Sequence, residues 1–153
     1  MINIYVLPEI AVEGSDLKDA FVISIVSPGR EHPKIIGSHV HKFHFHDVGI
    51  TYELPDGRLI QPMSETIAEA IVDLAMHHRY CDKWVIHCEA GISRSPAVAI
   101  GLSKFLKFNP NRRNLKKMFP NYNKHVCKLI EEEMETYIKE DTLKELNVNV
   151  KEE

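Results

Sequence analysis

One cysteine of this chain lies where a short apolar stretch gives way to a loop and then to a helix. Cys88 follows the apolar run at 83–86, and a second apolar run begins after Pro96. In folds where strands alternate with helices, ligands bind beyond the carboxyl ends of the strands, where a loop leads into a helix N-terminus. A nucleophilic thiol at this position could therefore meet a bound substrate.

The loop after Cys88 has the composition of an anion-binding site. Gly91 permits backbone geometry that other residues resist. Successive N–H groups can then turn inward at the positive end of the helix that begins near Arg94 or Ser95. The same positive field favours the thiolate form of a cysteine. Arg94 adds a permanently charged guanidinium that can hold two oxygens of one phosphate, so these residues predict a phosphoryl-transfer site.

The full string from His87 to Ser95 is more selective than any one of its residues. The pattern His-Cys-x-x-Gly-x-x-Arg-Ser, entered from a strand and followed by a helix, resembles the signature loop of the cysteine-dependent protein tyrosine and dual-specificity phosphatases. The resemblance implies that Cys88 attacks phosphorus to form a phosphocysteine and that Arg94 holds the equatorial oxygens. It also implies that Ser95 donates a hydrogen bond to the departing sulfur, and that His87 orients the loop. The phosphate would be bound by Glu89, Ala90, Gly91, Ile92, Ser93 and Arg94, and neither a cofactor nor a metal is expected.

A phosphatase of this kind also needs a general acid for the leaving group and a base for water, and one carboxyl group can do both. The resemblance implies an aspartate on a loop after the preceding strand. Asp47 directly follows the predicted strand at 39–46, where compact dual-specificity phosphatases carry their acid. Asp56 is closer to the usual sequence separation from the cysteine, but it lies in a Pro-Asp-Gly stretch that is also an ordinary turn. Asp47 is therefore the preferred acid and Asp56 the alternative.

The size and charge of the chain favour a phosphorylated protein as the substrate. A chain of 153 residues leaves little room for the segments that form the deep cleft of large tyrosine-only phosphatases. The loop carries no lysine, which argues against phosphoinositides, and the net charge of −3 argues against RNA 5′-triphosphates and other nucleic acids. Three alternatives stay open: a catalytically inactive module that binds phosphorylated partners, a phosphatase of a non-protein substrate such as a phosphoinositide or an RNA 5′-triphosphate, and an enzyme that acts on another oxyanion or transfers sulfur.

Composition limits where such an enzyme could work. Hydrophobic residues make up 44% of the chain and charged residues 27%, which is typical of soluble globular proteins. The apolar runs are shorter than the roughly 20 residues that cross a bilayer, and the first residues lack the features of a signal peptide. The three cysteines lack framework spacing, so reduced thiols are expected. We therefore expect a cytoplasmic protein that does not bind a membrane.

Predicted strands and helices alternate along the chain. Short β-branched or alternating runs predict strands at 2–7, 20–26, 39–46 and 83–86. Helical spacing predicts a helix after an N-cap at Ser64 and further helices at 96–108 and 124–139. This order predicts one α/β domain over residues 1–153, in which helices flank a central, mostly parallel sheet of about four to five strands. Residues 140–153 are expected to form a polar, flexible tail.

Four histidines of the third predicted strand could suggest a metal site. Strand alternation puts two of them on one face and two on the other, and no cysteine or carboxylate pattern completes a ligand set. A strand surface is therefore the favoured interpretation for His39, His41, His44 and His46.

Three further features have simple structural interpretations. The basic cluster past the signature helix is interpreted as a solvated helix face; it comprises Arg112, Arg113, Lys116 and Lys117. Asn121 could brace the signature loop, although ordinary helix capping is the preferred interpretation. A protective disulfide between Cys88 and either Cys81 or Cys127 is a minor hypothesis, because a sequence gives no distances.

Overall fold

The structure, a computed structural model, describes residues 1–152, with side chains described through residue 146. Strands and helices alternate along the chain, as the short apolar runs and the turns between them predict. In chain order the elements are β1 (Ile2–Pro8), α1 (Glu9–Val12), β2 (Phe21–Val26), β3 (Val40–His44), β4 (Tyr52–Glu53), β5 (Leu59–Ile60), α2 (Glu65–His77), β6 (Lys83–Cys88), α3 (Arg94–Leu102), β7 (Phe108–Asn109), α4 (Arg112–Met118) and α5 (Lys124–Glu152).

Five of the strands form one parallel sheet in the order β3-β2-β6-β1-β7. All residues of β2 and nearly all of β6 are buried, as expected for parallel strands that are covered on both faces. The remaining two strands, β4 and β5, form a separate antiparallel hairpin. The prediction of an α/β fold with a central, mostly parallel sheet of four to five strands is confirmed.

Helices α2, α3 and α5 pack on one face of the sheet and enclose the main apolar core. A smaller apolar cluster, which includes Val12, Val22 and Val85, covers the other face. Every residue of α3 is buried. A helix that is buried all round can neither slide nor tilt without breaking its packing, so the N-terminus of α3 is held beside the end of β6.

The region around β6 and α3 differs from the sequence prediction at two points. Strand β6 continues past 83–86 to Cys88, because its last two residues pair with the end of β1. The predicted helix at 96–108 is wrong beyond Leu102, and Phe108–Asn109 instead forms an edge strand beside β1. Pro110 restricts Asn109 to an extended conformation, which fits the place of Asn109 in this edge strand.

Other boundaries follow the prediction more closely. The Ser64 side chain accepts a hydrogen bond from the Ile67 N–H at 3.2 Å, which confirms it as the N-cap of α2. The third strand is shorter than 39–46, and α1 and the β4–β5 hairpin were not predicted. Helix α5 includes residues 140–152 of the predicted tail, whereas residue 153 lies outside the described residues; the flexibility of this segment stays a prediction.

Among the described residues, none of the helices combines the length and the apolar character that crossing a membrane requires.

Candidate active site

The carboxyl ends of four parallel strands meet around the loop at 89–93. Strand β6 lies between β2 and β1 and ends at Cys88, whereas β1 ends at Pro8 and β2 at Val26. Strand β3, on the far side of β2, ends at His44. Because the ends of parallel strands share one edge of the sheet, residues that are distant in sequence surround the same loop.

The thiol of Cys88 lies beneath this loop and is only 2% exposed. Its Sγ accepts a hydrogen bond from the Gly91 N–H at 3.3 Å and lies 3.1 Å from Ser95 Oγ. A backbone N–H and a hydroxyl can both donate to sulfur, so both groups can stabilise negative charge on a departing sulfur. The structure thus brings Ser95 to the sulfur, as the sequence interpretation expects.

Gly91 allows the loop to pack directly on strand β1. Its φ is +72°, which is a conformation that other residues rarely adopt. A Cβ atom at this position would lie 2.6 Å from the Pro8 nitrogen and 2.8 Å from the Leu7 carbonyl carbon. Both the backbone conformation and the close approach to β1 therefore require glycine.

Arg94 has a buried side chain whose Nε–H lacks a hydrogen-bond partner among the described residues. Its Nη1 donates to the Phe45 carbonyl at 2.9 Å and to Ser27 Oγ at 3.1 Å. Its Nε is buried and has no hydrogen-bond partner within the described part of the chain. A buried N–H without a partner costs free energy that a bound acceptor would recover. A bound oxyanion would supply such an acceptor.

The backbone of the loop leaves further donors free. Within residues 1–152, no other group accepts a hydrogen bond from the N–H groups of Ala90, Ile92, Ser93 and Arg94. These groups precede or begin α3, where the helix dipole also places positive potential. Free N–H groups at the start of a helix are the kind of donors that hold a phosphate or a similar oxyanion.

Glu89 places its carboxylate among donors. It accepts a hydrogen bond from the Ser27 N–H at 2.8 Å, and it lies 2.9 Å from an Arg30 Nη1 and 3.5 Å from an Arg94 Nη2. Burial alone would raise the pKa of Glu89, but hydrogen bonds from Ser27 and the charges of Arg94 and Arg30 lower it to about 2. The carboxylate of Glu89 thus pairs with both Arg30 and Arg94, and it helps to hold the Arg94 side chain in place.

His87 points to the opposite face of the sheet from the Cys88 thiol, as strand alternation requires. Its Nε2 hydrogen-bonds Ser24 Oγ, which also lies 2.7 Å from His32 Nδ1. Its Nδ1 lies 3.3 Å from the Cys88 carbonyl oxygen. Burial lowers the pKa of His87, although the Cys88 hydrogen bond and Glu9 oppose this shift. A buried, neutral ring joined to the Cys88 backbone fits a role in orienting the loop.

Asp47 lies against the signature loop. Its Oδ1 accepts hydrogen bonds from Ser93 Oγ at 2.7 Å and from Asn123 Nδ2 at 2.9 Å. The Asn123 backbone N–H in turn donates to the Ser93 carbonyl at 3.1 Å. Asp47 is exposed, so its carboxyl group is accessible to a substrate bound at the loop.

Asp56 has different surroundings. It lies in the turn between β4 and β5, where its carboxylate accepts hydrogen bonds from the Arg58 N–H at 3.1 Å and from Arg58 Nε at 2.6 Å. Both side chains of this ion pair are more than half exposed. The structure therefore brings Asp47 to the loop and leaves Asp56 in the hairpin turn.

Two site residues were missed at the sequence level. Ser27 contacts both Arg94 and Glu89, and its position just after β2 could have indicated this, because strand ends meet at one edge. Asn123, and not Asn121, braces the loop, and it also accepts a hydrogen bond from the Val126 N–H at the start of α5. No local sequence signal distinguishes the two asparagines.

The basic cluster and the other cysteines lie away from the loop contacts. Arg112 pairs with Glu131 at 2.6 Å, whereas the other three basic side chains of α4 are exposed. Cys81 precedes β6, and the extended segment from residue 83 to 88 spans about 16 Å, which is too far for a disulfide with Cys88. Burial and Glu131 raise the pKa of the Cys127 thiol to about 12, which leaves this thiol protonated and unreactive.

No protein-family model matches the chain, and no curated protein matches it. The resemblance to the cysteine-dependent phosphatases therefore rests on the sequence of residues 87–95 alone.

Proposed function

We propose that this protein is a cysteine-dependent phosphatase that hydrolyses phosphate monoesters through a phosphocysteine intermediate. The observation that carries the proposal is a buried thiol, Cys88, that accepts a hydrogen bond from the Gly91 N–H of a loop leading to Arg94, whose buried Nε has no partner among the described residues. A thiolate and an oxyanion site share one small space, which is the arrangement that phosphoryl transfer to sulfur needs.

In the first step, the Cys88 thiolate attacks phosphorus and an S–P bond forms. The bond between phosphorus and the ester oxygen breaks, and the leaving oxygen takes a proton from the Asp47 carboxyl group. Arg94 and the loop amides bind the non-bridging oxygens, where negative charge must be stabilised.

In the second step, water attacks phosphorus and the S–P bond breaks, which releases inorganic phosphate. Asp47, now a carboxylate, accepts the proton from water. The electron pair of the S–P bond returns to sulfur, and the Ser95 hydroxyl, 3.1 Å away, stabilises the departing thiolate by donating a hydrogen bond.

Phosphorylated protein is the proposed substrate class. The loop itself carries an exposed apolar side chain, Ile92. Apolar groups beside the anion site suit a phosphorylated side chain on a polypeptide better than a polyphosphate. Arg30 contacts Glu89 of the loop and also pairs with Glu9.

The test is a panel of phosphotyrosine peptide, phosphothreonine peptide, phosphoinositide and RNA 5′-triphosphate, assayed for phosphate release in the presence of a chelator. Acid-quenched reactions are then digested, and the peptide that contains Cys88 is searched for a phosphate adduct by mass spectrometry. We expect release from the phosphopeptides and an adduct on Cys88.

The other outcomes of the panel would overturn the proposal in different ways. Tight binding of phosphopeptides without release would identify an inactive phosphate-binding module. Phosphate release from the phosphoinositide or the RNA alone would be consistent with the proposed phosphatase mechanism. It would contradict phosphorylated protein as the substrate class. Release without any adduct on Cys88 would contradict the phosphocysteine mechanism.

A further inference from the structure

Three histidines meet at the end of the sheet opposite to Cys88. His39 directly precedes β3, His41 lies within it, and His78 follows the last residue of α2. Each offers one ring nitrogen, and these three nitrogens all lie within 4.8 Å of one another. We propose that His39, His41 and His78 form a Zn²⁺ site.

The hydrogen bonds of the three rings leave nitrogens available as metal ligands. His78 Nδ1–H donates to the Leu74 carbonyl at 2.7 Å, which places the ring's lone pair on Nε2. Such a bond from the second ring nitrogen to a backbone carbonyl is how metal-binding histidines are usually oriented. His41 Nε2 is buried and has no partner among the described residues, so this nitrogen has no other role in the fold.

The spacing of the nitrogens requires only a small closure around an ion. Tetrahedral Zn²⁺ with Zn–N bonds of about 2.0–2.1 Å places its ligand atoms about 3.4 Å apart. The largest of the three separations is at most 4.8 Å. His39 is exposed, so its side chain can move by the remaining distance of about an ångström without disturbing the core.

The ligand type and the accessibility of the cluster select the kind of ion. Three imidazoles suit Zn²⁺ and similar late transition metals, whereas Ca²⁺ and Mg²⁺ require oxygen ligands. Three protein ligands leave the fourth tetrahedral position for water. The exposed His39 keeps this side of the cluster open to solvent.

The position of the cluster gives the ion a stabilising role. Phe21 stacks on the His78 ring at 4.5 Å and packs against Trp84 near the start of β6. From Trp84 to Cys88 the strand spans about 13 Å, so the ion would not touch the thiol. It would instead link the beginning of β3 to the end of α2 and stabilise the native state by mass action. The proposal is thus independent of the proposed phosphatase activity.

The test is a titration of the full chain with ZnCl₂, followed by calorimetry and by the thermal midpoint of unfolding. The Cys88→Ser variant is titrated in parallel, because a thiolate could also bind Zn²⁺. We expect one ion per chain in both proteins and a midpoint that rises with Zn²⁺ concentration. Co²⁺ should give a tetrahedral spectrum without a thiolate charge-transfer band.

Matched variants distinguish a metal site from ordinary packing of aromatic rings. His39→Ala and His78→Ala should each weaken Zn²⁺ binding by about 100-fold or more. His77→Ala, which removes the exposed neighbour of His78, should leave the affinity unchanged. The ring of His39 is exposed, so His39→Ala should fold normally. An unchanged thermal midpoint of the metal-free variant would show that a loss of Zn²⁺ binding is not due to misfolding.

Three results would overturn the proposal. The first is equal Zn²⁺ affinity for the native protein, His39→Ala and His78→Ala. The second is loss of binding in Cys88→Ser alone, which would assign the ion to the thiol. The third is the absence of binding to the native protein, which would leave the cluster as aromatic packing around Phe21.

Discussion

The two ends of the parallel sheet leave opposite kinds of polar groups without partners. At the carboxyl end, Arg94 has a buried Nε–H donor without a partner among the described residues. At the amino end, the three histidines present ring nitrogens, including a buried Nε2 of His41. Donors bind anions and lone pairs bind cations, so one sheet can support two unrelated sites. The unpaired polar groups at each end of the sheet, rather than the fold, decide which ligand that end can bind.

The two ends also differ in rigidity. The loop at 89–93 is held by β1 through Gly91, by Ser27 after β2 and by Asn123 before α5. The histidine cluster is held by ring packing and by one hydrogen bond to the Leu74 carbonyl. Phosphoryl transfer requires donors in fixed positions, whereas an ion can draw mobile ligands together.

The largest effect is expected from Cys88→Ser, which removes the nucleophile. Turnover of an aryl phosphate should fall by about 10⁴-fold or more, because a neutral hydroxyl cannot replace a thiolate. Cys127→Ser is the matched control, since Cys127 is also buried but its pKa is raised to about 12. Steady-state kinetics would check both variants. Cys88→Ser should still bind Zn²⁺. If Cys88→Ser kept its turnover rate, Cys88 at the carboxyl end of the sheet would not be the nucleophile.

Asp47→Asn should have the next largest effect, because it removes the proton donor and keeps the Oδ1 that Ser93 and Asn123 contact. We expect turnover to fall by about 10²–10⁴-fold. The loss should be smallest for aryl phosphates whose leaving group needs no proton. Asp56→Asn is the control and should change turnover by no more than about twofold, as for other exposed substitutions. If Asp56→Asn lowered the turnover rate and Asp47→Asn did not, Asp56 would be the general acid instead of Asp47.

Much of the carboxyl-end site could be predicted because its parts are consecutive in sequence. Strand, glycine, arginine and helix all lie within residues 83–102, and each has a local signal. The braces of the loop could not be found this way. Ser27 lies 67 positions from Arg94, and Asn123 lies 76 positions from Asp47, so only the folded chain brings them together.

The same limit explains the errors in the fold. Apolar periodicity predicts the parallel sheet and its covering helices, because burial imposes a pattern over many residues. Strand β7 has only two residues, too few for a pattern, and its pairing with β1 decides its conformation. His78 was likewise missed as a partner of His39 and His41, because it reaches them from a different element.

A smaller effect, on stability, is expected from Gly91→Ala. The added Cβ would lie 2.6 Å from the Pro8 nitrogen at a φ of +72°, so strain and displacement of the loop should together cost about 3 kcal/mol. Gly14→Ala is the matched control, because the φ of Gly14 is +73° and none of the described residues has an atom within 4 Å of the added Cβ. Strain alone should cost that variant about 1 kcal/mol. Urea unfolding would measure both, and equal losses would show that the loop does not depend on its close contact with β1.

The smallest effect concerns the charge that braces Arg94. Glu89 has a pKa of about 2 in the folded protein, compared with the ordinary 4.5, so its ionised form stabilises the native state above about pH 4.5. This contribution is lost as the pH falls from 4.5 towards 2. The carboxylate is 27% exposed, and solvent screening should limit the contribution to about 1 kcal/mol.

Glu89→Gln should therefore lower the free energy of unfolding at pH 7 and lower it less at pH 3, as measured by urea denaturation. Glu135→Gln is the control, because Glu135 pairs with Lys104 at 2.7 Å on the exposed surface, where the expected loss is smaller. An identical loss for Glu89→Gln at both pH values would mean that packing, rather than charge, accounts for the effect. Arg94 would then be held by Ser27 and Phe45 alone, and the carboxyl end would owe its rigidity to neutral hydrogen bonds.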